Sequence, residues 1–260
     1  MAKIGTEDIF LTDTGGDKPA LLFVHGLTFD HTVWQSQVGA LSVDFRVVCV
    51  DLRGHGRSTA ANPDISFEDH AADLATLIDT LGLKDVTLVG WSMGGAIAQL
   101  FAATYSGKIS HLVLVGSTPQ LLADDKFKHA LAPEAAQELA TLMVQDYAKG
   151  CAALCGMMEP KDQRVTAMLT AIATKSRPDV VLNTIQSSGA RSLLGYLPKI
   201  NAPTTVIAGS NDAICLPVVS SYLAKNIPSS QGDAIFIESG HAPFLTRPEA
   251  FNAVLRSVLK

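Results

Sequence analysis

The chain has 260 residues, 47% of them apolar and 17% charged, and a net charge of −5; this is enough apolar material for a real core and too little charge for a disordered or solvating protein. Lysine and arginine form no cluster, which argues against nucleic acid as a partner, because phosphate binding needs basic groups gathered on one face. No apolar run reaches the eighteen or so residues of a membrane span, and the opening "MAKIGTEDIFLTDTGGDKPA" lacks the basic flank and apolar block of a signal peptide, so a cytoplasmic protein with no membrane partner is expected.

The first strands in chain order are "ALLFVHG" and "FRVVCVD", continuous and rich in β-branched residues, as strands buried on both faces of a parallel sheet should be. "SFEDHAADLATLIDTLG" then predicts a helix: Ser66 and Asp69 form a capping box, Ala71, Leu74, Ala75, Ile78 and Leu81 make one stripe, and Gly82 ends it. The strand "VTLVG" runs into "GWSMGGAIAQLFAATYS", where a strand ends at Gly90 and a helix begins near Ser92. "HLVLVG" follows.

Between about Pro119 and Pro198 the alternation stops, and Ala, Leu and Met recur at helical spacing with no persuasive strand, which predicts a helical insertion. Its eight acidic and eight basic residues balance, leaving no obvious electrostatic face. Cys151 and Cys155, at i, i+4, are read as buried small apolar groups; without a CxxC pair or zinc-type spacing, all four cysteines are expected to be free thiols of a reducing compartment. The strands "TTVIAG" and "AIFIES" complete the pattern. Such β/α alternation calls for right-handed crossovers and a sheet covered on both sides.

Ser92 has two readings: a helix N-cap, or a nucleophile displayed on the G-x-S-x-G elbow, in which Gly90 and Gly94 leave room for a strained turn. A serine hydroxyl needs a base, and the base an orienting acid; in elbow-type folds these follow in the order Ser, acid, His. Asp212 in "TTVIAGSND" and His241 in "AIFIESGHAPF" arrive in that order, each just past a strand at the sheet edge where open α/β sheets build their sites. Alone, either is an ordinary loop residue, but together they favour catalysis over the N-cap. Asp124 and Asp125 lie too far beyond "HLVLVG" to compete. Backbone N–H groups of Met93 and of Leu27, after the flexible Gly26, are the expected oxyanion donors. His25 and His55 are read as structural, each in a glycine-rich loop.

With these residues in view, the chain resembles the α/β-hydrolase family over nearly its whole length, on "HGLTFDHTVW", "VDLRGHGRS", "GWSMGG", "AGSND" and "GHAPFLTRPEAF". The resemblance implies a mostly parallel eight-stranded sheet flanked by helices, formed by residues 1–118 and 199–260, with 119–198 as a helical cap inserted after the sixth strand. It also implies a Ser92–Asp212–His241 triad that uses no cofactor and no metal. Within the family, "GWSMGG" and "HAPFLTRPEAF" look most like the pimeloyl-[acyl-carrier protein] methyl ester esterases of biotin synthesis, which implies a serine esterase acting on a small or carrier-linked ester, as a monomer or weak homo-oligomer. There the cap carries arginines that hold the acidic carrier; Lys161, Arg164, Lys175 and Arg177 are the matching expectation here, and Leu27, Trp91 and Tyr147 the expected substrate contacts. "RGHGRS" and "GLKDVTLVGWSMGG" also resemble 3-oxoadipate enol-lactonases and cofactor-free perhydrolases, so a lactone or another small ester stays open. A ligand receptor of the same fold is the non-catalytic alternative. The apolar stripes of the cap are expected to line an acyl pocket.

Overall fold

A computed structural model describes residues 1–189 and 191–259, and all element counts refer to these residues. The chain begins with a hairpin, β1 (Ala2–Ile4) and β2 (Glu7–Ile9), before β3 (Leu11–Asp13) and β4 (Ala20–Val24). After α1 (Gln35–Leu41) come β5 (Arg46–Val50), α2 (Phe67–Thr80), β6 (Thr87–Trp91), α3 (Met93–Thr104) and β7 (His111–Val115). Four helices then follow without a named strand: α4 (Pro133–Gln145), α5 (Tyr147–Met158), α6 (Gln163–Ala173) and α7 (Pro178–Gly189). The chain ends with β8 (Thr204–Gly209), α8 (Pro217–Asn226), β9 (Ile235–Ile237), α9 (Pro243–Thr246) and α10 (Pro248–Val258).

The main sheet has seven strands in the order β3-β5-β4-β6-β7-β8-β9, parallel except where β3 meets β5. Eight strands were expected. The difference lies at the start of the chain, where β1 and β2 pair only with each other. The free edge of β2 is taken by a loop rather than a strand: Asp8 N–H donates to Thr59 Oγ1, Thr59 N–H to Asp8 O, and Phe10 N–H to Ser58 Oγ. Loop bonds of this kind satisfy the edge and stop the sheet from growing. The four-helix segment accordingly follows β7, the fifth strand of the main sheet, not the sixth.

Alternation along the central strands builds two cores. Leu22, Val24, Leu88 and Leu112 face α2 and α3, with Leu74, Ile78 and Ile97 among their neighbours. Leu21, Phe23, Val89 and Val113 face the other way, toward Trp34, Phe244, Phe251 and Leu255. Each such side chain contributes about 1.5–3 kcal/mol when fully buried. The second cluster runs on into the four-helix segment through Met143, Leu154, Met158, Val165 and Leu169. In α2 the expected capping box is present, with Asp69 N–H donating to Ser66 Oγ at 3.1 Å and Ser66 N–H to Asp69 Oδ2 at 2.9 Å.

Candidate active site

Ser92 sits between β6 and α3 with φ 55° and ψ −118°, a left-handed conformation that costs a non-glycine residue on the order of 1–3 kcal/mol. Its side chain makes no capping hydrogen bond, unlike Ser66 at the start of α2. An ordinary N-cap would use its hydroxyl on the helix; this one leaves it free. The flanking glycines are required by close approach: a Cβ at Gly90 would strike the Gly94 carbonyl, and one at Gly94 would strike the carbonyls of Val24 and His25. Gly26 abuts the serine directly, since a Cβ there would lie 3.2 Å from Ser92 Cβ. The Gly26–Leu27 backbone is thereby drawn alongside Ser92. His25 holds this loop, accepting Leu52 N–H at Nε2 (3.0 Å) and donating from Nδ1 to Gly26 O (2.8 Å).

Asp212 follows β8, and His241 follows β9. Both are buried, with Asp212 Oδ2 2.7 Å from His241 Nδ1. The second oxygen, Oδ1, accepts the N–H groups of Ile214 (2.8 Å) and Cys215 (2.9 Å), so the carboxylate is fixed from both sides. A carboxylate only accepts, so Nδ1 carries the proton and Nε2 keeps a lone pair. That Nε2 is buried and has no hydrogen-bond partner. Asp124, by contrast, is exposed and caps its own loop through Lys126 N–H and Phe127 N–H.

The backbone of His241 is held as firmly as its ring. Trp91 Nε1–H donates to His241 O at 2.8 Å, and His241 N–H donates to Met158 O at 2.9 Å. Glu159, at the end of α5, accepts Gly240 N–H at Oε2 (3.1 Å) and Ala242 N–H at Oε1 (2.7 Å). Burial pushes the Glu159 carboxyl above the ordinary glutamate range, against the lowering pull of those two amides and of His241. Sequence reasoning missed Glu159. The one signal in the chain is an acid at a helix C-terminus, where the helix dipole disfavours negative charge.

Beside Ser92 lies a cavity of about 130 Å³. Leu27 and Met93 line it from the sheet side, and Leu139, Met143, Leu154 and Met158 from α4 and α5. Two of the expected substrate contacts lie elsewhere. Trp91 is fully buried under the histidine loop, tilted against Phe29 and edge-on to Phe244, with its indole N–H spent on His241. Tyr147 is not part of the cavity wall; its hydroxyl meets Ser176 Oγ at 2.6 Å, tying α5 to the end of α6. Arg177 is also engaged, pairing with Asp179 and donating to Ala60 O. Arg164 lies in the first turn of α6, and Lys175 in the turn just past its end.

Among the described residues, one group has the donors of a metal site: Asp30, His31 and Asp51, with ligand atoms within 4.8 Å. Both Asp51 oxygens and His31 Nδ1 are already used. Asp51 Oδ1 accepts both His31 N–H and Nδ1–H, Asp51 Oδ2 accepts Arg57 N–H, and Asp30 caps the turn at Thr32.

The profile of the alpha/beta hydrolase fold family matches residues 19–248. A pimeloyl-[acyl-carrier protein] methyl ester esterase of Vibrio atlanticus is 31% identical over 261 residues, covering 96% of this chain and 98% of the relative. Among solved structures, an esterase from Exiguobacterium antarcticum superposes with a TM-score of 0.91 at 24% identity, over 97% of this chain and 96% of that one. The enol-lactonase from Burkholderia xenovorans LB400 superposes at 0.88, also at 24% identity, over 99% and 98%. At that identity the two structures speak to the fold alone. The matched length, the sheet order and the similarity to the Vibrio esterase together mean that this chain belongs to the α/β-hydrolase fold family.

Proposed function

We propose that this carboxylic-ester hydrolase works through an acyl-enzyme on Ser92, with Asp212 and His241 as its charge-handling pair. The observation that carries the reading is His241, fixed by Asp212 at Nδ1 and unpartnered at a buried Nε2, near a serine held in a strained turn. In the first step Nε2 takes the Ser92 hydroxyl proton as the oxygen attacks the ester carbonyl. Asp212 holds the tautomer and steadies the imidazolium. Backbone N–H groups of Leu27 and Met93 receive the oxyanion, and the partial positive charge at the start of α3 favours it further. His241 then protonates the leaving alcohol and activates the water that releases the acid.

The segment 119–198 acts as a cap over the site, and the apolar cavity takes the acyl chain. Its walls are Leu, Met and Ala with few polar groups, which suits methylene chains. The similarity to the Vibrio pimeloyl-[acyl-carrier protein] methyl ester esterase supports a methyl ester carried on acyl-carrier protein as substrate; the reaction would then be a cytoplasmic step of biotin synthesis. The chain supplies the acid, base and nucleophile itself, so the reaction is written without a cofactor.

The test compares kcat/KM on a carrier-linked dicarboxylate methyl ester, the free methyl ester and an enol lactone, beside labelling by a serine-directed phosphonate. The expected result is highest turnover on the carrier-linked ester, and loss of turnover by on the order of 10⁴ to 10⁶ in Ser92→Ala. Preference for the lactone would move the substrate to the other family branch. Labelling without turnover on any of the three would favour a receptor, and activity surviving in Ser92→Ala would remove Ser92 from the mechanism.

A further inference from the structure

The geometry points to Glu159 as a positioning residue that couples the cap to the catalytic histidine, and we propose that it holds His241 in register through the loop backbone. The inference rests on the reading that Ser92 and His241 carry the hydrolysis.

Three consecutive N–H groups, those of Gly240, His241 and Ala242, all donate into the end of α5. The outer two go to the two carboxylate oxygens of Glu159, and the middle one to the carbonyl of Met158. A single side chain therefore brackets the histidine on both sides. Gly240 is part of the fit: a Cβ there would run into Met158 O and the Glu159 carboxylate. From beneath, Trp91 Nε1–H fixes the His241 carbonyl, so Asp212 is left to set only the ring.

Glu159 is 3% exposed, and burying a carboxylate is costly unless it is well bonded. Two amide donors at 2.7 and 3.1 Å meet that need, and a carboxylate serves here where a neutral amide side chain would turn a donor toward one of the N–H groups. The placement ties chemistry to the acyl site. Leu154 and Met158, on the same helix, form part of the cavity wall, so the element that touches the substrate chain also sets the height of the base. A catalytic group displaced by about 1 Å loses on the order of 10²-fold in rate.

The experiment uses the full chain with Glu159→Gln and Glu159→Ala, reading kcat and KM on a short aryl ester, the phosphonate labelling rate, thermal stability, and hydrogen exchange at the amides of residues 240–242. Glu159→Ala is expected to lower kcat and the labelling rate by about 10²-fold, with KM within about twofold of the parent, and to speed exchange at Gly240 and Ala242. Glu159→Gln keeps one acceptor and the shape; it is expected to fold and to lose about tenfold, with faster exchange at one of the two amides. It therefore serves as the decisive variant if the alanine form is not stable. Unchanged kcat in a folded variant whose amides exchange faster would overturn the proposal, as would unchanged exchange at both amides. Because exchange is read without turnover, a parent protein that hydrolyses none of the esters would count against the ester-hydrolase reading while the exchange data still judged the clamp.

Discussion

Three histidine rings run through the core between the sheet and α2. His25 and His55 have ring centroids 5.3 Å apart, and His55 and His70 are 6.4 Å apart. His25 finds both its partners, but neither nitrogen of His70 is hydrogen-bonded, and His55 uses only Nδ1. Burial pushes His55 down to about 3 and His70 well below the ordinary histidine range, and the neighbouring imidazoles add to it. Both are neutral in the folded protein, whereas the unfolded chain protonates them near pH 6.5. The sign follows: their contribution is intact above about 6.5 and is lost as pH falls, at about 1.4 kcal/mol per pH unit for each group. His31, raised by its bond to Asp51, and Glu159, raised by burial, act in the opposite sense. His70→Leu isolates the effect. The stability difference between this variant and the parent, measured by denaturant unfolding at pH 7, 6, 5 and 4, is expected to shift in the variant's favour as pH falls below about 6.5; a difference that stays flat with pH would show that His70 does not carry the acid sensitivity.

Helices reveal how much was legible before the fold was known. In α2 the cap, the apolar stripe and the glycine stop are local signals, so its reading needed no tertiary information. The elbow was legible for a similar reason, because Gly90, Ser92 and Gly94 lie within five residues and Gly90 must clear the Gly94 carbonyl, although the Val24 and His25 carbonyls that Gly94 must clear come from β4 and the loop after it. Strands β1 to β3 left no such trace, being three residues each with too little length for alternation to register. Within the four-helix segment, the stripes predicted apolar helices but not their faces: Leu139, Met143, Leu154 and Met158 reached the cavity, while Tyr147 did not. Filling the cavity from α4 tests that assignment. Ala136→Phe is expected to lower kcat/KM for hexanoyl relative to acetyl aryl esters by at least about tenfold, since each excluded methylene is worth roughly 1–3 kcal/mol. An unchanged chain-length profile would place the acyl group elsewhere.

For the molecule as a whole, the important fact is that the four-helix segment shares its apolar core with the sheet. Met143, Leu154, Cys155, Val165 and Leu169 belong to the same apolar cluster as Val89, Val113 and Phe244 of the sheet side. Shared burial of this kind couples the stability of the parts. Calorimetry is therefore expected to give one transition, with calorimetric and van't Hoff enthalpies in agreement; an early, separate cap transition would contradict the continuous cluster. All four cysteines are buried within the described residues, and burial pushes the thiols of Cys49 and Cys155 up to about 12, which fits small apolar packing rather than reactivity.

Sequence alone was enough for everything written in short range: the β/α alternation, the capped helix and the elbow. The seven-strand count, the spent indole of Trp91, the turn of Tyr147 toward Ser176 and the grip of Glu159 on residues 240 and 242 needed the tertiary structure. The reason is physical. Periodicity and turn chemistry act between neighbours in the chain, whereas a hydrogen bond between Glu159 and Ala242 spans 83 positions and exists only once the sheet has brought the two loops to the same edge.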